Sequence, residues 1–431
     1  MDREKALEYH AKGKIGLRLT KDLATLDDLC MAYTPGVAEP VKEISARPLC
    51  ARDYTAKGNS VAVVTDGSAI LGLGNLGALA GIPVMEGKAA LFKVFGDVDA
   101  WPVPLDGCRT DDGSSDPGKI IEYACAIAPM YGGINLEDIA APACFEVEDR
   151  LDSLLDIPVF HDDQWGTAVI TLAGVMNYSR LCEREMEELR IVINGAGAAG
   201  IRIAEMLRAA GAKSILLCDS MGVVRSDRRD LSGKKKEHAV DSNAVTVEDA
   251  LKDAHVFIGV SIGNCISGSE IEGMASYPAI FAMANPDPEI RPEAVAGVLG
   301  SKPYVIATGR SDYPNQVNNV LGFPFLFRGA LDTMSNSINT EMKVAAAEAL
   351  ARVAHEPVPD YVQSLYPDFR LQFGPRYVIP KPFDPRLLVE VSAAVAEAAV
   401  ASGAARVQPG PGYRRCLEQR KSDLAKENQK R

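Results

Sequence analysis

Among the residues able to do chemistry, two pairs of neighbouring carboxylates come first. Glu137-Asp138 is flanked by Leu136 and Ile139, and Asp162-Asp163 follows the short apolar run Ile157 to Phe160. Adjacent acids are more often a solvated face than a site. Two doublets in apolar frames nevertheless offer the hard oxygen donors that Mg²⁺ or Mn²⁺ takes, with room left for water or a small ligand. Lys88 follows Gly87 and opens the apolar run Ala89-Ala90-Leu91-Phe92. Desolvation there lowers a lysine pKa and makes it a base, although an isolated lysine ordinarily keeps its head in water. Tyr33 precedes Thr34-Pro35-Gly36, where proline and glycine force a bend. Taken alone, a tyrosine beside a turn is more often a packing residue.

The next chemistry-bearing stretch is Gly195-Ala196-Gly197-Ala198-Ala199-Gly200. It follows the strand-like Leu189 to Asn194 and leads into a helix from Ile201 to Leu207; a second strand, Ser214 to Cys218, closes on Asp219. Strand, glycine turn, helix, strand and an acid about 20 residues on make a dinucleotide fingerprint. Gly195, Gly197, Ala198, Ala199 and Gly200 are thus expected to cradle a pyrophosphate on the helix N-terminus, and Asp219 to meet the ribose hydroxyls. An acid at that point favours NAD, whereas Arg225, Arg228, Arg229 and Lys234-Lys235-Lys236 offer a 2′-phosphate site for NADP or simply a solvated loop. A similar series from Gly72 to Gly77 lacks the second strand and its acid. It reads as close backbone packing or approach to a small ligand.

These residues need a scaffold of parallel strands. At 431 residues, a chain at roughly 150 residues per domain makes two or three domains. Further strands are expected at Ser60 to Thr65, Val256 to Val260, Ile280 to Ala284 and Tyr304 to Ala307; the last two run into Asn285-Pro286 and Thr308-Gly309-Arg310. Strand ends of this kind carry the ligand contacts of a doubly wound sheet. Helices are expected in the polar first forty residues and over Thr167 to Leu181, Thr340 to His355 and Leu387 to Ala401, while the tail from Gln408 reads as frayed or packed on a partner. The formal charge of −12 repels nucleic acid and anionic membranes. No run approaches the ~20 apolar residues of a membrane span, and the N-terminus lacks a signal-peptide core. Nine scattered cysteines without a Cys-x-x-Cys pair fit free thiols in a reducing compartment, with cytoplasm as the default.

In order along the chain stand Tyr33-Thr-Pro-Gly-Val-Ala38, Thr65 to Asn75, Gly81 to Lys88, Asn135-Leu-Glu-Asp138, His161-Asp-Asp-Gln164, Gly195 to Gly200, Ala282 to Pro286 and Thr308 to Asn319. The chain resembles a malic enzyme of the short bacterial type, NAD(P)-dependent and oxaloacetate-decarboxylating. The resemblance implies an α/β fold: a substrate and metal domain from residues 1–161 and 319–431, completed by C-terminal helices, around a Rossmann-type doubly wound domain at 162–318. It implies Lys88 as the base at the malate C2 hydroxyl and Tyr33 as the acid that protonates the enol of pyruvate. Glu137, Asp138 and Asp163 would bind Mg²⁺ or Mn²⁺ with Asp162 supporting them, Asn285 would touch substrate or nicotinamide, and Asn319 would touch substrate. L-Malate and NAD or NADP are the implied ligands and a homodimer the implied assembly, with no acyltransferase-like domain appended. Malolactic decarboxylation to lactate is the alternative activity. A catalytically silent subunit would be marked by loss of Lys88, Tyr33 or a metal carboxylate, and all are present. Trp165 replaces the usual histidine and is expected to pack at the domain seam; Met221 replaces a common lysine, and Ala69 stands where longer members carry a substrate-binding arginine.

Overall fold

The computed structural model of the chain describes residues 2–428. Ser60–Thr65 (β1), Asp99–Pro104 (β2), Gly133–Leu136 (β3) and Val159–His161 (β4) form a four-stranded parallel sheet in the order β2-β1-β3-β4. β1, β3 and β4 are buried along their whole length, as strands covered on both faces are. Leu136 lies opposite His161 in the register. The doublets that follow them, Glu137-Asp138 and Asp162-Asp163, therefore leave the same edge of the sheet side by side.

Seven more strands form the second sheet: Arg190–Asn194 (β5), Ser214–Asp219 (β6), Gly222–Val223 (β7), Val256–Gly259 (β8), Ala279–Ala282 (β9), Val305–Thr308 (β10) and Asn315–Gln316 (β11). Their order is β11-β10-β9-β8-β5-β6-β7, and only the short β7 pairs antiparallel. β5 has β6 on one side and β8 on the other. The winding reverses there, and the crevice beyond those strand ends is where such sheets bind ligands. The expected strands stand within a residue or two of their sequence positions, and the long helix occupies Thr167–Leu181 as expected.

Helix Ala78–Gly96 resolves the Lys88 stretch as helical. Its last glycine lets Phe323–Asp332 approach: a Cβ on Gly96 would fall 2.7 Å from the Pro324 carbonyl oxygen. Phe92 meets Phe323 and Phe327 edge-on at 4.6 and 5.3 Å between ring centres, the preferred aromatic geometry. With helices Thr340–Val353 and Arg386–Ala401 they extend one continuous apolar core through both sheets. The tail differs from expectation. It forms a helix, Tyr413–Asn428, that buries Leu417, and at its start the Tyr413 hydroxyl donates to Asp332 at 2.9 Å. The spaced tyrosine and leucine give this charged segment one apolar stripe, enough to pack it on its own chain. At the other end, helices Arg3–His10, Leu26–Ala32 and Ala38–Ala46 contain no buried residue. All nine cysteines are free thiols, and among the described residues no helix is long and apolar enough to cross a membrane.

Candidate active site

Lys88 projects from helix Ala78–Gly96 into the edge where the doublets emerge. Its Nζ lies 2.9 Å from the Glu137 carboxylate, donates to Asp162 and stands 4.4 Å from the centre of the Phe323 ring. Asp138 has φ +54°, a left-handed conformation that costs a side-chain-bearing residue about 1 kcal/mol or more and clusters at functional sites. That bend aims its N–H at the Asp163 carboxylate, 2.8 Å away. The glycine loop before the helix comes in from the other side, with the Leu71 N–H 3.4 Å from Asp138 Oδ1. Asn319 donates to the Asp162 side chain at 3.2 Å and to its carbonyl at 3.1 Å, and Thr167 donates to Asn319 at 3.2 Å. Lys88, Glu137, Asp138, Asp162, Asp163 and Asn319 are thus assembled from four separate parts of the chain.

The electrostatics are those of an acidic pocket. Burial opposes the Lys88 ammonium, but Asp162 and Glu137 outweigh it and hold the group protonated well above the usual range. Burial pushes the carboxyls of Glu137, Asp162 and Asp163 up, and Asp138 up to about 7. Lys88 stands among these acids, and no three of the described His, Cys, Asp or Glu side chains are already grouped round a common point. Asp138 Oδ2 and Asp162 Oδ1 are nevertheless buried without a hydrogen-bond partner. Orphaned carboxylate oxygens of this kind are costly and are relieved by a hard cation. By donor type Glu137, Asp138 and Asp163 fit Mg²⁺ or Mn²⁺.

A cavity of about 740 Å³ opens at the winding reversal of the second sheet, lined by Asn194, Gly195, Gly197, Asp219, Lys234 and Lys235 among others. Gly195 has φ +127°, and a Cβ there would strike the Val260 carbonyl; one on Gly200 would strike the Gly195 carbonyl. Gly197 faces open space and caps helix Ala198–Ala209 without a side-chain bond. The first-turn N–H groups of Ala198, Ala199 and Gly200 are therefore available to a pyrophosphate. Asp219 is already engaged: Arg228 donates to both its oxygens at 2.8 and 3.0 Å, and Lys235 donates at 3.1 Å. Burial alone would raise its pKa, but Arg228, the Met221 N–H and Lys235 hold it down at about 2. Asn285 is exposed at the end of β9; its carbonyl faces Gly72, and its side-chain amide would lie within 3.2 Å of a Cβ on Gly309.

Residues 12–152 match the family described as "Malic enzyme, N-terminal domain" and residues 165–371 match "Malic enzyme, NAD binding domain". The chain belongs to the malic enzyme family. It is 51% identical over 417 residues to the NADP-dependent malic enzyme of Halomonas elongata, covering 95% of this chain and 96% of that one. It is 49% identical to the NADP-dependent malic enzyme of Rhizobium meliloti over 98% of its length but only 55% of that protein's, so it spans about half of some relatives it matches. The malic enzyme of Pyrococcus horikoshii shares the fold at a TM-score of 0.88, with 41% identity and coverage of 98% and 96% of the two chains.

Tyr33 is the predicted site residue that the fold leaves apart. It ends helix Leu26–Ala32, is 70% exposed, and its hydroxyl donates to none of the acidic cluster. Conversely, the sequence carried no sign of the polar layer beneath the doublets. Glu148 on helix Ala143–Leu154 accepts the His161 N–H and the Trp165 indole N–H, both at 2.9 Å, and Arg202 at 3.2 Å. The Trp165 ring is buried between the Arg202 guanidinium at 4.5 Å and Lys343 Nζ at 3.6 Å. These contacts join residues remote in sequence, so no local spacing announces them.

Proposed function

We propose that the chain catalyses the oxidative decarboxylation of L-malate to pyruvate and CO₂ with NAD(P)⁺ and a divalent cation. The observation that carries this reading is Lys88 set between Glu137 and Asp162 on the edge where two parallel strands deliver four carboxylates. When bound, Mg²⁺ or Mn²⁺ on Glu137, Asp138 and Asp163 supplies Lewis-acid charge for decarboxylation, and the nicotinamide supplies the hydride acceptor. With those carboxylates engaged, Glu137 and Asp163 would no longer offset the burial that opposes the Lys88 charge and only Asp162 would, which would ease loss of its proton. The free amine would take the proton of the malate C2 hydroxyl. Asp162 and Phe323 fix the lysine head, and Asn319 holds Asp162 in turn. Tyr33, apart from this cluster within one chain, would return a proton to C3 of the enol once CO₂ has left if its arm reaches the site of a second copy. Asn285 touches substrate or nicotinamide from the β9 end.

NADP is the preferred dinucleotide on this reading. An Asp219 already bridged by Arg228 and Lys235 is a poor acceptor for a ribose hydroxyl, and those same cations, with Lys234 on the cavity wall, favour a 2′-phosphate. The protein works in the cytoplasm as a homodimer, consistent with its free thiols and with the apolar surface left bare on residues 17–49. The Bacillus subtilis relative described as a bifunctional malic/malolactic enzyme, 46% identical over 95% of this chain and 96% of its own, keeps lactate formation as a second reading. Purified protein with L-malate, Mn²⁺ and each dinucleotide should reduce the nicotinamide, faster at low NADP⁺ than at equal NAD⁺, and stop on chelation. A folded, Mn²⁺-saturated protein that yields neither reduced nicotinamide nor pyruvate overturns the proposal; lactate as sole product selects the malolactic reading.

A further inference from the structure

Glu148 is buried beneath the five-residue turn Asp162–Gly166 and touches neither Lys88 nor the acids that face it. Its two oxygens accept from His161 on one side of Asp162-Asp163 and from Trp165 on the other, so a single carboxylate grips the turn at both flanks. Arg202 closes the arrangement. It donates to Glu148 at 3.2 Å and to the Gln164 side chain at 2.9 Å, and its guanidinium lies against the Trp165 ring. Arg202 belongs to helix Ala198–Ala209, whose first turn is the cradle described above. Gly166 packs so tightly on Asp162 that a Cβ would overlap its carboxylate, so the turn accepts no larger residue there. We infer that Glu148 and Arg202 are a positioning pair that sets Asp163 for a divalent cation, with Asp162 beside it, and ties their placement to the helix bearing the dinucleotide cradle.

This rests on the metal-dependent reading, and groups that orient ligands in this way are typically worth about 10- to 100-fold in metal affinity. Glu148→Gln keeps the shape but sets an amide N–H against donors that now meet a carboxylate. Mn²⁺ binding to the full-length protein, followed by the loss of the free-ion electron paramagnetic resonance signal, should weaken by about 10- to 100-fold. Turnover lost at low Mn²⁺ should return at saturating Mn²⁺, which general structural damage would not allow. Trp165→Phe, which removes one donor and keeps the packing, should weaken Mn²⁺ by about fivefold and decides the matter if Glu148→Gln does not fold. Mn²⁺ affinity within about twofold of wild type in the folded variants overturns the inference alone. A wild-type protein that takes up no Mn²⁺ overturns the metal-dependent reading itself.

Discussion

The acidic edge and the N-terminal arm are opposites in physical terms. At the edge, Glu137, Asp138 and Asp162 are buried and Lys88 and Asp163 half-buried, on strand ends and one helix, each held by partners from other elements. The arm is tied down where Lys14 donates through its N–H to Glu86 at 3.0 Å and through Nζ to the Pro83 carbonyl at 2.9 Å. Beyond that anchor Leu17, Leu26, Met31 and Tyr33 are all at least 70% exposed, and Leu73 and Leu79 beside the glycine loop are as bare. Apolar patches on this scale mark surfaces that another body covers. The chain thus brings Lys88, the proposed base, and its carboxylates together internally, while Tyr33, the proposed acid, stands on a stretch with no core of its own.

Lys88→Ala is expected to make the largest change on the buried side. Loss of a positioned general base costs about 10²- to 10⁴-fold in turnover, and dinucleotide binding should stay close to wild type because the cavity residues are untouched. Titrating NADP⁺ by protein fluorescence beside steady-state rates checks both halves; unchanged turnover removes Lys88 from the mechanism. On the exposed side, Tyr33→Phe should cost somewhat less. If the arm of one copy covers the Lys88 site of another, mixing the two inactive variants after dissociation restores about a quarter of wild-type activity by random pairing of a symmetric dimer. No recovery means that each arm serves its own chain.

The same contrast explains what could be read from the sequence. Glu137-Asp138, Asp162-Asp163 and Gly195 to Gly200 are contiguous, and their chemistry follows from neighbours within a few residues. The strand at Ser60 and those around Gly195 to Gly200 are equally legible, since buried strands need unbroken apolar runs; β2, β3 and β4 are not, being short or interrupted by proline and glycine. The setting of Tyr33 is not legible because the helix it ends has no buried residue whose pattern would fix its place. Glu148 and Arg202 were hidden because 54 residues separate them; in sequence each is an ordinary charge on a surface-like helix. Asp219 reads in sequence as a ribose acid, and its pairing with Arg228 and Lys235, 9 and 16 residues on, is set by the fold and not by local spacing.

The smallest expected effect concerns Lys343, which shares the buried layer but makes no contact with the acids at the edge. It is only 7% exposed, and its head lies over the Trp165 ring with Glu148, Arg202, Asp152 and Glu205 as the charged groups around it. Burial pushes it down from 10.5 to about 8, against the pull of Glu148. Because the unfolded chain keeps the proton up to its higher pKa, the cost of burying Lys343 is fully present below pH 8 and fades as the pH rises to about 10.5. The shift corresponds to about 3 kcal/mol at most, part of which the cation–π contact with Trp165 returns. Lys343→Met should therefore stabilise the protein against urea at pH 7 by about 1–2 kcal/mol, and the gain should shrink steadily toward pH 10. A loss of stability at pH 7 would show instead that the lysine is a net clamp on the tryptophan, and that the layer beneath the acids is held by charge as firmly as the edge itself.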